Sequence, residues 1–223
     1  MKNLQLRCVV WMSVFMLVTV AAAADIVTYS DLDGDFVLFQ NLTETSTVEG
    51  PVYGQPTISG DTIRAPGTGF LSQSVAGDLD LVDGRLQLSI IADEGFQFDQ
   101  ITVTELGSFF GAGESALSIV NSFASVQSGG ESFSGGVTLV QEGVGQGGWF
   151  GEYTISFPET DEVTLTLNNQ LLTSAGLDAA SFIEGSSFSI SVNAFAASVP
   201  EPGTATLSMI VLAYVCLRRR RLH

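Results

Sequence analysis

Apolar and polar residues alternate with a period of two over much of this chain. Leu86, Leu88 and Ile90 alternate with Gln87 and Ser89, Val163, Leu165 and Leu167 with Thr164 and Thr166, and Phe188, Ile190 and Val192 with Ser189 and Ser191. Successive side chains of a strand point to opposite faces, so this is the pattern of a sheet with one face in a core. Shorter apolar runs predict further strands near 36–40, 70–75, 101–105, 117–126, 137–141 and 153–157. Phe96 and Phe98 lie on one parity and Ile101 and Val103 on the other, which predicts a bulge or a break near Gln100. One short helix is expected over 177–182. Between the runs lie turn dipeptides: Asp33-Gly34, Ser59-Gly60, Asp83-Gly84, Glu94-Gly95, Gly129-Gly130 and Gly147-Gly148. Many short strands at this spacing, with no tandem repeat, predict an all-β fold: a single antiparallel β-sandwich, jelly-roll-like.

Both ends break the alternation. Near the N-terminus Lys2 and Arg7 precede an apolar stretch over 9–20 and four alanines, Ala21 to Ala24. A cationic start, a short apolar core and small residues at Ala22 and Ala24 predict a signal peptide over 1–24, cut after Ala24. At the other end Pro200-Glu201-Pro202 is followed by an apolar run over 203–217 and by Arg218, Arg219, Arg220 and Arg221. As a helix that run covers about 22 Å, short of a hydrocarbon core of about 30 Å. The arginines are expected on the cytoplasmic side. Everything from 25 to 199 is then exported, as one domain of ordinary size.

This ordered tail resembles the PEP-CTERM sorting signal of exported bacterial proteins, also known as the ice-binding protein C-terminal domain. The resemblance implies that an exosortase-type enzyme recognises Pro200, Glu201 and Pro202. It implies a transient transmembrane anchor over 203–217 and a stop at Arg218 to Arg221. Signal peptidase and the sorting enzyme are then the partners during export. The destination is the cell surface or an extracellular polysaccharide matrix. An ice-binding face needs a regular ladder of Thr-x-Thr, and only the pairs Thr102/Thr104 and Thr164/Thr166 occur.

Composition narrows the chemistry of the exported part. Both cysteines, Cys8 and Cys216, and the one histidine, His223, lie in the terminal signals. Between 25 and 199 there is no lysine, and the cations are Arg64 and Arg85. Nucleophilic chemistry with an imidazole base, thiol chemistry, Schiff bases and His/Cys zinc sites therefore have no residues to use. The same stretch carries 23 of the 24 acidic residues. Phosphate recognition needs clustered cations, so nucleic acid is not an expected partner.

Carboxylate chemistry survives. Asp31, Asp33 and Asp35, at alternate positions, resemble the start of a calcium loop, but Phe36 and Leu42 stand where an EF-hand needs glycine and glutamate. A hairpin turn at Asp33-Gly34 competes with a Ca2+ site there, and Asp78, Asp80 and Asp83 form a second such cluster. Gly143, Gly145 and Gly148 match G-x-G-x-x-G, but a strand pattern follows where a dinucleotide site needs a helix. Paired carboxylates could serve a glycosidase, yet no local motif selects a pair. Tyr53, Trp149, Phe150 and Tyr153 are candidates to stack on sugar rings, Trp149 beside the glycine-rich loop being the foremost. The chain reads as an exported, non-catalytic surface or matrix protein of structural or adhesive type. A carbohydrate-binding module with calcium-stabilised loops is the alternative, and a carboxylate-only glycoside hydrolase stands third.

Overall fold

The structure is a computed structural model and describes residues 25–198. The signal peptide, the Pro200-Glu201-Pro202 motif, the anchor and its arginines lie outside the described residues.

Thirteen strands form in chain order: β1 (Asp25–Thr28), β2 (Leu32–Asp33), β3 (Val37–Ser46), β4 (Thr57–Ser59), β5 (Thr62–Ala65), β6 (Leu71–Val75), β7 (Leu79–Ala92), β8 (Phe96–Ala112), β9 (Leu117–Ser128), β10 (Glu131–Glu142), β11 (Gly145–Thr160), β12 (Glu162–Ser174) and β13 (Ala180–Ala196). They make two antiparallel sheets. The first runs β1-β3-β7-β12-β9-β10, with β2 beside β3. The second runs β11-β8-β13-β5-β4, with β6 beside β13. The alternating runs seen in the sequence are the inward faces. Leu86, Leu88, Ile90, Val163, Leu165 and Leu167 of the first sheet meet Ile101, Val103, Ile155, Phe188 and Ile190 of the second, all buried. This is the all-β sandwich that the alternation predicts.

Two expectations about local structure resolve differently. Opposite β13, the register shifts between Val192/Ala194, paired with Ile101 and Phe98. β8 thus carries one extra residue around Asp99 and Gln100, which lets Phe98 and Ile101 both point inward. The predicted helix over 177–182 does not form. Leu177 and Asp178 make a turn, closed by the Ala179 amide donating to the Gly176 carbonyl at 3.1 Å. Ser181 and Phe182 already belong to β13, paired on both sides, because ladder bonds outweigh a short helical preference that lacks a buried face.

The layer between the sheets is not uniform. One end is aliphatic and aromatic, with Phe98 edge-on to Phe157 at 6.0 Å between ring centres. The other end is crossed by hydroxyl pairs that link sheet to sheet. Ser118 on β9 meets Ser181 on β13 at 2.8 Å, and Ser72 on β6 meets Thr173 on β12 at 2.9 Å. Tyr53, from the loop after β3, plugs the layer between Phe70 and Phe188. Its hydroxyl donates to the Gly84 carbonyl at 3.2 Å.

Candidate functional site

The outer face of the first sheet is where side chains of one chemical kind converge. Because the pleat alternates, the same strands that send leucines inward send amides and hydroxyls outward. Register aligns them in rows. Asp83, Gln170, Asn121 and Thr138 stand side by side on β7, β12, β9 and β10. They form one hydrogen-bonded chain: Thr138 Oγ1 to Asn121 Oδ1 at 2.9 Å, Asn121 Nδ2 to Gln170 Oε1 at 3.5 Å, and Gln170 Nε2 to Asp83 Oδ2 at 3.3 Å.

The next row carries the aromatic group. Thr45, Arg85, Asn168, Phe123 and Gly136 are aligned across β3, β7, β12, β9 and β10. Phe123 is 45 % exposed, and its ring lies beside Gly136, where an added Cβ would collide with the Ser122 carbonyl. Gly135 and Gly136, with Asn121, Phe123 and Thr138, bound an open depression of about 300 Å³. A third row, Thr43, Gln87, Thr166 and Ser125, extends the polar surface. Arg85 reaches Gln87 Oε1 at 3.4 Å and is the one cation on this face among the described residues. Such a surface offers planar hydrogen-bonding groups in both senses and one apolar ring, with little net charge of its own.

Such groups can exchange hydrogen bonds with a hydroxyl-bearing ligand. The sequence signal was present but dispersed. Each outward residue is an ordinary polar strand position, and only pairing brings Asp83, Asn121, Thr138 and Gln170 together.

The residues singled out from sequence are placed elsewhere. Trp149 points inward, half-buried, with its indole Nε1–H donating to the Glu184 carbonyl at 3.1 Å across Gly107. Tyr53 is fully buried and Tyr153 half-buried, so neither offers a ring to a surface ligand. Phe150 is exposed, beside Leu106 on the outer face of the second sheet. Among the described residues no group of three or more Asp, Glu, His or Cys is placed to hold a metal ion. Asp31 accepts the Asn41 amide at 3.2 Å, where β3 bulges. Asp33 ends β2, and the turn that follows it, with Asp35, is tied by Asp61 Oδ1, which accepts the Phe36 amide at 2.8 Å. Asp80 accepts the Gln73 amide at 2.8 Å. These carboxylates organise turns and do not converge.

No family model and no curated protein matches this chain. Among solved structures, TmCBM61 in complex with β-1,4-galactotriose aligns at 11% identity and TM-score 0.24, over 79% of this chain and 90% of that one. The CBM22-1 xylan-binding domain from Paenibacillus barcinonensis Xyn10C aligns at 14% identity and TM-score 0.24, over 77% and 97%. Tailspike protein 4 of bacteriophage CBA120 aligns at 9% identity and TM-score 0.24, over 55% of this chain and 19% of that one. The functional reading therefore rests on the residues of the face itself.

Proposed function

We propose that this chain is an exported, non-catalytic surface or matrix protein that adheres to a neutral polysaccharide through the outer face of its first sheet. One observation carries the reading: the continuous row Thr138–Asn121–Gln170–Asp83 runs beside the exposed Phe123. Sugar hydroxyls both donate and accept, and so do amides and threonine hydroxyls. A sugar ring has an apolar face that packs on an aromatic ring. The remainder of the acidic surface repels anionic polymers, which favours an uncharged one. Sorting by the C-terminal signal, with 203–217 as a passing membrane anchor, would deliver the domain to such a polymer outside the cell.

The test is affinity electrophoresis of the full chain in gels containing neutral or uronic-acid polysaccharides. Retardation is expected in a neutral polymer and not in an anionic one. Phe123→Ala should weaken retention about 3- to 10-fold, the worth of one aromatic contact of about 1 kcal/mol. Asn121→Ala should weaken it too, since Gln170 and Thr138 each lose a partner. No retention in any neutral polymer, or retention unchanged in both variants, would remove the proposal.

A further inference from the structure

Two glutamates lie wholly inside the sandwich, and their surroundings differ. Glu44, 1 % exposed, accepts from the Tyr29 hydroxyl and from the backbone amides of Val52 and Tyr53. Glu105, 2 % exposed, accepts from the Ser122 hydroxyl at 2.5 Å and has the Asn169 amide beside it. Ser122 in turn lies 2.8 Å from the Tyr153 hydroxyl.

Among the described residues no cation comes near Glu105. The arginines of the described residues, Arg64 and Arg85, are both exposed, one on each sheet's outer side. The groups packed around Glu105 are Ser122 from β9, Tyr153 and Trp149 from β11, Asn169 from β12, Phe188 from β13 and Tyr53 from the plug loop. Glu44 and Asp83 lie beyond Tyr53. All of these are neutral or acidic. A buried carboxylate with no counter-charge is so costly that the group keeps its proton instead.

A cavity of about 20 Å³ lies against this carboxyl, lined also by Asn169, Leu171 and Trp149. That is room for a single water. Asn169 is 6 % exposed, and its Oδ1 has no hydrogen-bond partner. An orphaned buried acceptor beside a water-sized cavity calls for a donor within it. A water there could donate to Asn169 and accept from, or donate to, Glu105.

We propose that Glu105, Asn169 and one internal water form a buried proton-binding site that joins the two sheets and loosens them when the proton leaves for solvent. The site stands apart from whatever the outer face binds. Burial pushes the Glu105 carboxyl up to about 7, against the opposing pull of Ser122 and Asn169. In the unfolded chain the same group releases its proton around 4.5. Between these values the folded form holds the extra proton, so stability falls as pH rises and levels off above about 7.

Thermal unfolding of the full chain from about pH 5 to about pH 8 tests this, in the native protein and in Glu105→Gln, which keeps the shape but cannot ionise. The native chain should lose roughly 5–10 °C of Tm more than the variant over that range. The surface carboxylates titrate in both proteins, so the difference isolates Glu105. Equal losses would overturn the proposal. Should the variant fail to fold, carbon-13 NMR of glutamate carboxyls in the native chain decides. One resonance with a midpoint near neutrality supports the site, whereas all glutamates titrating in their ordinary range overturns it.

Discussion

Gly107 sits under the indole of Trp149, on the inward face of β8. A Cβ placed there would collide with that indole and with the Glu184 carbonyl that the indole hydrogen-bonds. Gly107→Ala should therefore destabilise by about 3 kcal/mol, the upper part of the range for overpacking, and should shift the Trp149 fluorescence. Urea unfolding followed by both circular dichroism and fluorescence checks it, and an unchanged midpoint would contradict the packing. At this scale the sequence is half transparent. Its parity, Ile101-Val103-Glu105, already turns Glu105 inward with the two apolar residues. Nothing in the linear pattern says that Ser122, seventeen positions away, closes over it. Trp149 shares its parity with Ile155 and so belongs inside, although its glycine-rich neighbours suggested a rim.

The strands themselves were legible where alternation was strong, as in β7, β12 and the second half of β13. Their ends were not. β11 begins at Gly145 and runs through Gly147, Gly148 and Gly151, residues that weaken a strand in isolation. They join the ladder because β8 offers a continuous partner from Gly111 to Ile101. The helix expected over 177–182 failed for the same reason, since β6 and β8 both pair with that stretch. The connection from β10 in the first sheet to β11 in the second turns on Gly143 and Val144, with Gly143 at φ 77°. An L-residue disfavours that left-handed conformation, so Gly143→Ala should cost about 1 kcal/mol in thermal unfolding, with the outer face of β10 kept intact. A larger loss, or loss of polysaccharide retention, would mean that the turn also sets the position of Gly135 and Gly136.

For the whole molecule, the fold accounts for residues 25–198, and the signals expected at the two ends call for tests of their own. The tail predicts its own outcome. Replacing Pro200, Glu201 and Pro202 by alanine should leave the precursor in the membrane fraction, measured by fractionation and by the mass of the C-terminal peptide. Normal release would show that this motif is not what the sorting enzyme reads. The acidic excess makes a further prediction. Moderate salt screens repulsion among surface carboxylates, so Tm should rise between low and near-physiological ionic strength. What the sequence hid at this scale is the sidedness of the sandwich. The inward residues account for the sandwich, but only register assembles scattered asparagine, glutamine and threonine residues into one outer face.

The scarcity of cations has one more outcome. A trypsin-like protease can cut this domain only after Arg64 or Arg85, since no lysine occurs between 25 and 198. Both arginines are locked in paired strands, β5 and β7, which cannot thread an extended segment into a protease cleft without breaking a sheet. In a medium rich in such enzymes the folded domain is a persistent material, and its digestion would time how often the sheets come apart.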